Sequence, residues 1–166
     1  MNELPAGYPT DLYGAFNLLK TRDKLSLEDL KVLALIEAAG EEFYLRIAAG
    51  VRNDKAKALL TRNGREERGH AARLVKAIGL QGGSPFELPE ARDNPFIASL
   101  PGDFQVTAEF LKGLEGAEID GDRQYEVWAA GAANAEVAKL LRANGREESR
   151  HGARDAEVIE LIAARA

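Results

Sequence analysis

Between Leu27 and Val51 the apolar residues Leu30, Leu33, Ile36, Tyr44, Ile47 and Val51 recur at intervals of three and four, the period of a helix with one buried face. Ser26 with Asp29 has the form of a helix N-cap with an acidic third position, and Gly50 suits the residue just past the helix end. A second helix is expected from its cap Asn53 through Leu59, Leu60, Leu74 and Ile78 to Gly79. So few residues join the two that they must fold back as an antiparallel hairpin. Residues 80–102 then carry Gly82, Gly83, Pro85, Pro89, Pro95 and Pro101, too much punctuation for a regular element, and they read as a crossover running back along the molecule. A third helix, capped by Asp103, is expected through Val106, Leu111, Leu114, Tyr125 and Trp128 to about Gly131. A fourth, capped by Asn134, continues through Val137, Leu141 and Ile159 to the end of the chain. Residues 1–25, with Pro5, Pro9 and Gly14, predict an extended lead-in with a short helix near Leu12–Lys20.

A shift of 81 residues lays the second half on the first without a gap. Seventeen of the thirty-seven positions from Glu37 to Arg73 are then identical, including Tyr44 on Tyr125, Gly40 on Gly121, and Asn63-Gly64-Arg65-Glu66-Glu67 on Asn144-Gly145-Arg146-Glu147-Glu148. One helical hairpin is used twice. The fold class that follows is all-α: a four-helix bundle of two repeated antiparallel hairpins, about 27–79 and 103–165, joined by the crossover 80–102, with residues 26–166 as the bundle domain.

The inward stripes are not wholly apolar. Glu37, Glu67, Glu118 and Glu148 fall on them, with His70 and His151 one turn beyond Glu67 and Glu148, and these are the only two histidines in the chain. Glu37 and Glu67 lie at nearly equal distances from the first hairpin turn, so the four carboxylates should meet at one level. Buried together without partners they would repel each other at a cost of several kcal/mol each. A pair of divalent cations removes that charge; a metal-free polar network is the alternative. One Glu from each of two helices plus Glu-x-x-His from the other two is the donor set of carboxylate-bridged dinuclear sites, and oxygen-rich donors with a little imidazole suit iron or manganese. The expected metal ligands are therefore Glu37, Glu67, His70, Glu118, Glu148 and His151, with Glu67 and Glu148 bridging.

Tyr44 and Tyr125 are placed to hydrogen-bond a ligand carboxylate of the opposite hairpin, or to serve as core aromatics. Asp155 breaks the repeat, standing where the first hairpin has Leu74. It could orient a histidine, take part in proton transfer, or face solvent. Gly40, Gly121, Gly64 and Gly145 lie within a turn of a ligand Glu and suggest close helix packing, or room beside the metals. Glu66 and Glu147 are expected to point to another face, and Glu115 is at most a reserve ligand.

Composition narrows the functional classes. The chain is 45% hydrophobic and 30% charged, as in an ordinary globular protein. Its net charge of −5, with no dominant basic face, argues against nucleic acid. The absence of cysteine excludes disulfides, thiolate zinc sites and iron–sulfur or rubredoxin-type centres within these residues. No apolar run reaches membrane-spanning length and the first residues, with Glu3, lack an apolar leader, so a cytoplasmic protein without membrane contact is expected.

The paired pattern Glu37…Tyr44…Glu67-x-x-His70 and Glu118…Tyr125…Glu148-x-x-His151 resembles the ferritin-like superfamily, and its rubrerythrin-like branch in particular, over about residues 27–164. The resemblance implies two iron ions (manganese or a mixed pair in their place) reacting with O2 or H2O2, and a homo-oligomer, dimer or larger. Rubrerythrins usually carry a further carboxylate where this chain has Gly121, and often a Glu where it has His151. They commonly add a cysteine-rich electron-transfer domain, so peroxide reduction here implies a separate electron donor. Bacterioferritin's haem-ligating methionine has no counterpart, Met1 being the only methionine. The even ligand set is similar to that of demethoxyubiquinone hydroxylases, without their membrane-seeking surface. The leading expectation is a non-haem di-iron oxidoreductase; a ferroxidase or iron-storage protein and a structural metal-stabilised bundle are the alternatives.

Overall fold

The computed structural model describes residues 4–163, so the first three residues of the expected lead-in, with Met1 and Glu3, and residues 164–166, which the sequence reading put in the fourth helix, lie outside the described part. Five α-helices are present among the described residues: α1 (Leu12–Lys20), α2 (Leu27–Ala49), α3 (Asp54–Leu80), α4 (Ala108–Gly131) and α5 (Ala135–Ala163). α2 packs along α3, α4 along α5, and α3 along α5, which makes the bundle of two antiparallel hairpins expected from the repeat. None of these helices is long and apolar enough to cross a membrane.

The caps explain where most helices begin. Ser26 and Asp29 form a reciprocal capping box at the start of α2, and Tyr8 of the lead-in donates to the same aspartate at 2.6 Å. Such a cap contributes about 1 kcal/mol. Asn53 accepts from the backbone N–H groups of Lys55 and Ala56, and its repeat twin Asn134 from those of Glu136 and Val137. Gly50 closes α2 just past its end, as expected, but with φ −76°, a conformation open to any residue. The glycine is needed for another reason. A Cβ on it would lie 3.0 Å from the carbonyl oxygen of Phe104, which crosses over the hairpin end.

That crossing strand also corrects the start of the third helix. Asp103 does not cap it; Thr107 does, accepting from the N–H of Phe110 at 3.1 Å. Phe104 and Val106 are held extended because they cover the apolar end of the first hairpin, Phe104 edge-on to Phe43 with ring centroids 5.1 Å apart. The helix begins only beyond these residues, at Ala108. Upstream, the crossover contains two short 3-10 turns, Ala91–Asp93 and Ile97–Ser99, where no regular structure was expected. Buried Asn94 pins it to α2, donating to the Leu35 carbonyl at 2.8 Å, and Phe96 beside it is fully enclosed.

Two apolar clusters flank the polar centre of the bundle. One gathers Leu30, Leu33, Leu74, Ile78, Trp128 and Leu141, closed by α1 through Ala15 and Leu19. The other gathers Tyr44, Ile47, Leu60, Leu111 and Val158. The six expected ligands lie between them, away from either end of the bundle.

Candidate metal centre

Each helix brings one inward carboxylate to the same level. Glu37 (α2), Glu67 (α3), Glu118 (α4) and Glu148 (α5) are all buried, and His70 and His151 are fully enclosed. Their donor atoms fall into two overlapping groups of four: Glu37, Glu67, His70 and Glu148, and Glu67, Glu118, Glu148 and His151. Within each group every donor lies within 4.8 Å of the others. Glu67 and Glu148 belong to both, as bridging groups must.

Both imidazoles turn the same nitrogen inward. His70 Nδ1 faces Glu37 (3.2 Å), Glu148 (3.2 Å) and Glu67 (3.4 Å), while His151 Nδ1 faces Glu67 (3.1 Å), Glu148 (3.2 Å) and Glu118 (3.7 Å). The rings stack at 13° with centroids 5.2 Å apart. The outward nitrogens meet Glu147 and Glu66 of the opposite hairpin, each at 3.2 Å. The sequence reading, which sent Glu66 and Glu147 to another face of their helices, did not foresee these contacts with the opposite hairpin. Each is secured by an arginine that sequence reasoning passed over: Arg73 contacts Glu147 and Asn144, and Arg154 contacts Glu66 and Asn63.

The tautomer follows from these contacts. His70 and Arg73 together hold the Glu147 carboxyl down at about 2. At Glu66 burial works against ionisation, but Arg154 and Arg62 outweigh it and lower the pKa. An ionised carboxylate only accepts, so Nε2 must carry the proton, and a neutral imidazole then presents the Nδ1 lone pair to the cluster.

Tyr44 and Tyr125 reach across between α2 and α4. Tyr125 donates to Glu37 at 2.6 Å, and Tyr44 donates to Glu118 in a short bond. Each tyrosine thus holds a carboxylate of the opposite hairpin. Asp155 is fully buried and touches neither histidine; it accepts from Asn63 Nδ2 at 3.1 Å and from the Tyr44 hydroxyl at 3.2 Å. Burial, helped by the Glu118 charge, pushes its carboxyl up to about 8. Glu115 stands apart, paired with Lys112 on its own helix.

One of the glycines makes room for a carboxylate. A Cβ on Gly40 would lie 3.1 Å from Cγ of Glu67, whereas one on Gly121 would stand in ordinary contact, 3.6 Å from Cγ of Glu148. Gly64 and Gly145 serve helix contact instead, one of the two roles the sequence left open for all four. A Cβ there would meet Tyr44 Cβ at 3.2 Å and Tyr125 Cβ at 3.0 Å.

Without cations the cluster can balance its charge only by taking up protons. Burial and the Glu67 charge push the Glu37 carboxyl up to about 7. Burial with Glu67 and Glu118 pushes Glu148 well above its ordinary value. Glu67 goes the other way: burial opposes its ionisation, yet His70 and His151 hold it below the carboxylate range. Burial disfavours the imidazolium, but facing carboxylates overcome this, raising His70 far above its usual value and His151 to about 12. The donor set therefore calls for positive charge. Geometry agrees: His151 Nδ1 is buried without a hydrogen bond although three carboxylate oxygens surround it. Donors about 2.1 Å from a common ion and at right angles stand about 3 Å apart, the spacing seen here. The residues fit a pair of divalent cations.

Residues 30–159 match the family model described as Rubrerythrin. The chain belongs to the rubrerythrin family. No curated protein and no solved structure gives a match. Within a rubrerythrin-family fold, two buried carboxylate–histidine clusters sharing Glu67 and Glu148 are suited to a dinuclear metal site.

Proposed function

We propose that this protein is a non-haem di-iron oxidoreductase that reacts with dioxygen or hydrogen peroxide, manganese or a mixed Mn/Fe pair being the alternative filling. The observation that carries the reading is the sharing of Glu67 and Glu148 between two otherwise separate groups of donors. In this assignment Glu37 and His70 complete one position and Glu118 and His151 the other. Four protein donors per ion leave room for a small oxidant, and an iron pair supplies the two electrons that reduce it.

The remaining residues tune those donors. Tyr125 and Tyr44 fix the direction of Glu37 and Glu118 and withdraw charge from them. Glu147 and Glu66 orient the imidazoles, and Arg73 and Arg154 keep both carboxylates ionised. The flanking apolar clusters keep bulk water out along the bundle axis. These residues include no cysteine with which to hold an electron-transfer centre, so re-reduction is assigned to a donor outside them.

The test is stopped-flow oxidation of protein loaded anaerobically with Fe(II). Addition of H2O2 should oxidise two Fe(II) per peroxide, giving two Fe(III) and two waters with uptake of two protons. Iron uptake under O2 should stop near two ions per chain, as the two donor groups require. Continued uptake to many ions per chain would favour storage, and a loaded, reduced protein inert to both oxidants would leave the ions a structural role.

A further inference from the structure

Nearly every polar contact around the six donors has a twin related by the repeat. Tyr125 on Glu37 mirrors Tyr44 on Glu118, and Glu147 on His70 mirrors Glu66 on His151. Arg73 on Asn144 and Glu147 mirrors Arg154 on Asn63 and Glu66. The two asparagines differ. Asn144 Nδ2 donates to the Tyr125 phenol oxygen at 3.2 Å, whereas Asn63 Nδ2 donates to Asp155 Oδ1 at 3.1 Å. Asp155 Oδ2 in turn lies 3.2 Å from the Tyr44 hydroxyl, which also serves Glu118.

A phenol has one proton to give. Tyr125, receiving an amide N–H, gives its proton wholly to Glu37. Tyr44 stands between two carboxylates, Glu118 and Asp155. Packing does not require this arrangement, because buried Leu74 fills the twin position in the first hairpin. A buried carboxylate costs stability where leucine would contribute it. Arg154, next to it in sequence, does not pair with Asp155; it is engaged with Asn63 and Glu66.

We propose that Asp155 makes the two metal positions unequal, so that the Glu118–His151 position takes a divalent cation first and more tightly than the Glu37–His70 position. The inference rests on the ligand assignment above. Two effects act in the same direction. The added carboxylate lies about one helical turn from His151, close enough to attract an ion there. The Tyr44 hydroxyl, set between Glu118 and Asp155, also ties this carboxylate to that position, a link that Tyr125 on Glu37 lacks. A cation at that position favours the ionised form of Asp155, for the same reason that the bare Glu118 charge disfavours it.

Titration of the full chain with Mn(II), followed by the EPR signal of free Mn(II) and by calorimetry, tests this. Wild type should bind in two steps whose Kd values differ by about tenfold or more. Asp155→Asn, nearly isosteric, should weaken the tighter step and bring the two within a few-fold. Asp155→Leu, which installs the residue of the twin position, should do the same. A crystal grown at one Mn(II) per chain should show its anomalous peak between Glu118 and His151. Two unchanged steps in Asp155→Asn, equal affinities in wild type, or a first ion between Glu37 and His70 would each overturn the proposal. A wild type that binds no Mn(II) or Fe(II) would overturn the ligand assignment too, a result distinct from two-step binding that ignores Asp155. Melting of the ion-free variants checks folding; if Asp155→Leu fails to fold, Asp155→Asn alone decides.

Discussion

Replacing Glu67 and Glu148 together by glutamine should abolish metal binding and leave the ion-free protein no less stable. The two carboxylates are the members common to both donor groups, so their loss strips each group of two donors at once. In the ion-free state the centre holds four buried carboxylates against two imidazoles. Removing two leaves Glu37 and Glu118 facing His70 and His151, a balanced set with less like-charge repulsion. The desolvation cost of a buried charge offsets much of the attraction of its partners, so replacing these two by uncharged groups of the same shape is close to neutral. Wild type should instead gain stability on metal addition, about 2.7 kcal/mol at a free ion concentration a hundred times Kd. Thermal melts with and without Fe(II) or Mn(II), beside elemental analysis, read both effects. A metal-induced rise in Tm that persists in the double variant would contradict the assignment of these two residues.

The second large effect is expected at Gly145. Alanine there gains about 1 kcal/mol in helix propensity. Its Cβ, however, would sit 3.0 Å from Tyr125 Cβ and 3.2 Å from the Asp122 carbonyl oxygen. These atoms belong to the backbone of α4 or ride directly on it, so α4 and α5 must separate. Overpacking of this kind costs about 1–3 kcal/mol and outweighs the propensity gain. The shift also carries Tyr125 away from Glu37, so metal affinity should fall with stability. Gly113 and Gly116, on the open side of α4, provide the contrast. Nothing lies within 4 Å of a Cβ on either, and alanine there should stabilise by about 0.4–1 kcal/mol. Denaturant melts of the three single variants check the opposite signs.

The hairpins and the six central residues were legible because each is a property of one helix at a time. Period, cap and turn length place Glu37 on the inner face of α2, and the shift of 81 residues supplies Glu118 without further argument. Tyr44 and Tyr125 could be aimed across the bundle for the same reason. The roles of Glu66 and Glu147 were not legible in this way. Next to Glu67 or Glu148 in sequence, each is turned about 100° away around its helix. What it meets there depends on how one hairpin sits on the other. A signal was nonetheless present: Glu66, Arg73 and Asn63 all keep their twins in Glu147, Arg154 and Asn144. Thr107 was missed for a different reason. The residues before it satisfy a helical pattern as well as an extended one, and only the exposed end of the first hairpin, which Phe104 and Val106 cover, decides between them. Asp155 was visible as the break in the repeat, but its partners Asn63 and Tyr44 come from the other hairpin.

The central claim is that one pair of ions is held jointly by both hairpins, with Glu67 and Glu148 between them. Anomalous diffraction at the iron edge from crystals loaded anaerobically with Fe(II) tests it most directly. Two peaks should appear about 3.5–4 Å apart, both within bonding distance of Glu67 and Glu148, one beside His70 Nδ1 and the other beside His151 Nδ1. A single peak, ions bound through Nε2, or iron lying outside these six side chains would contradict the account.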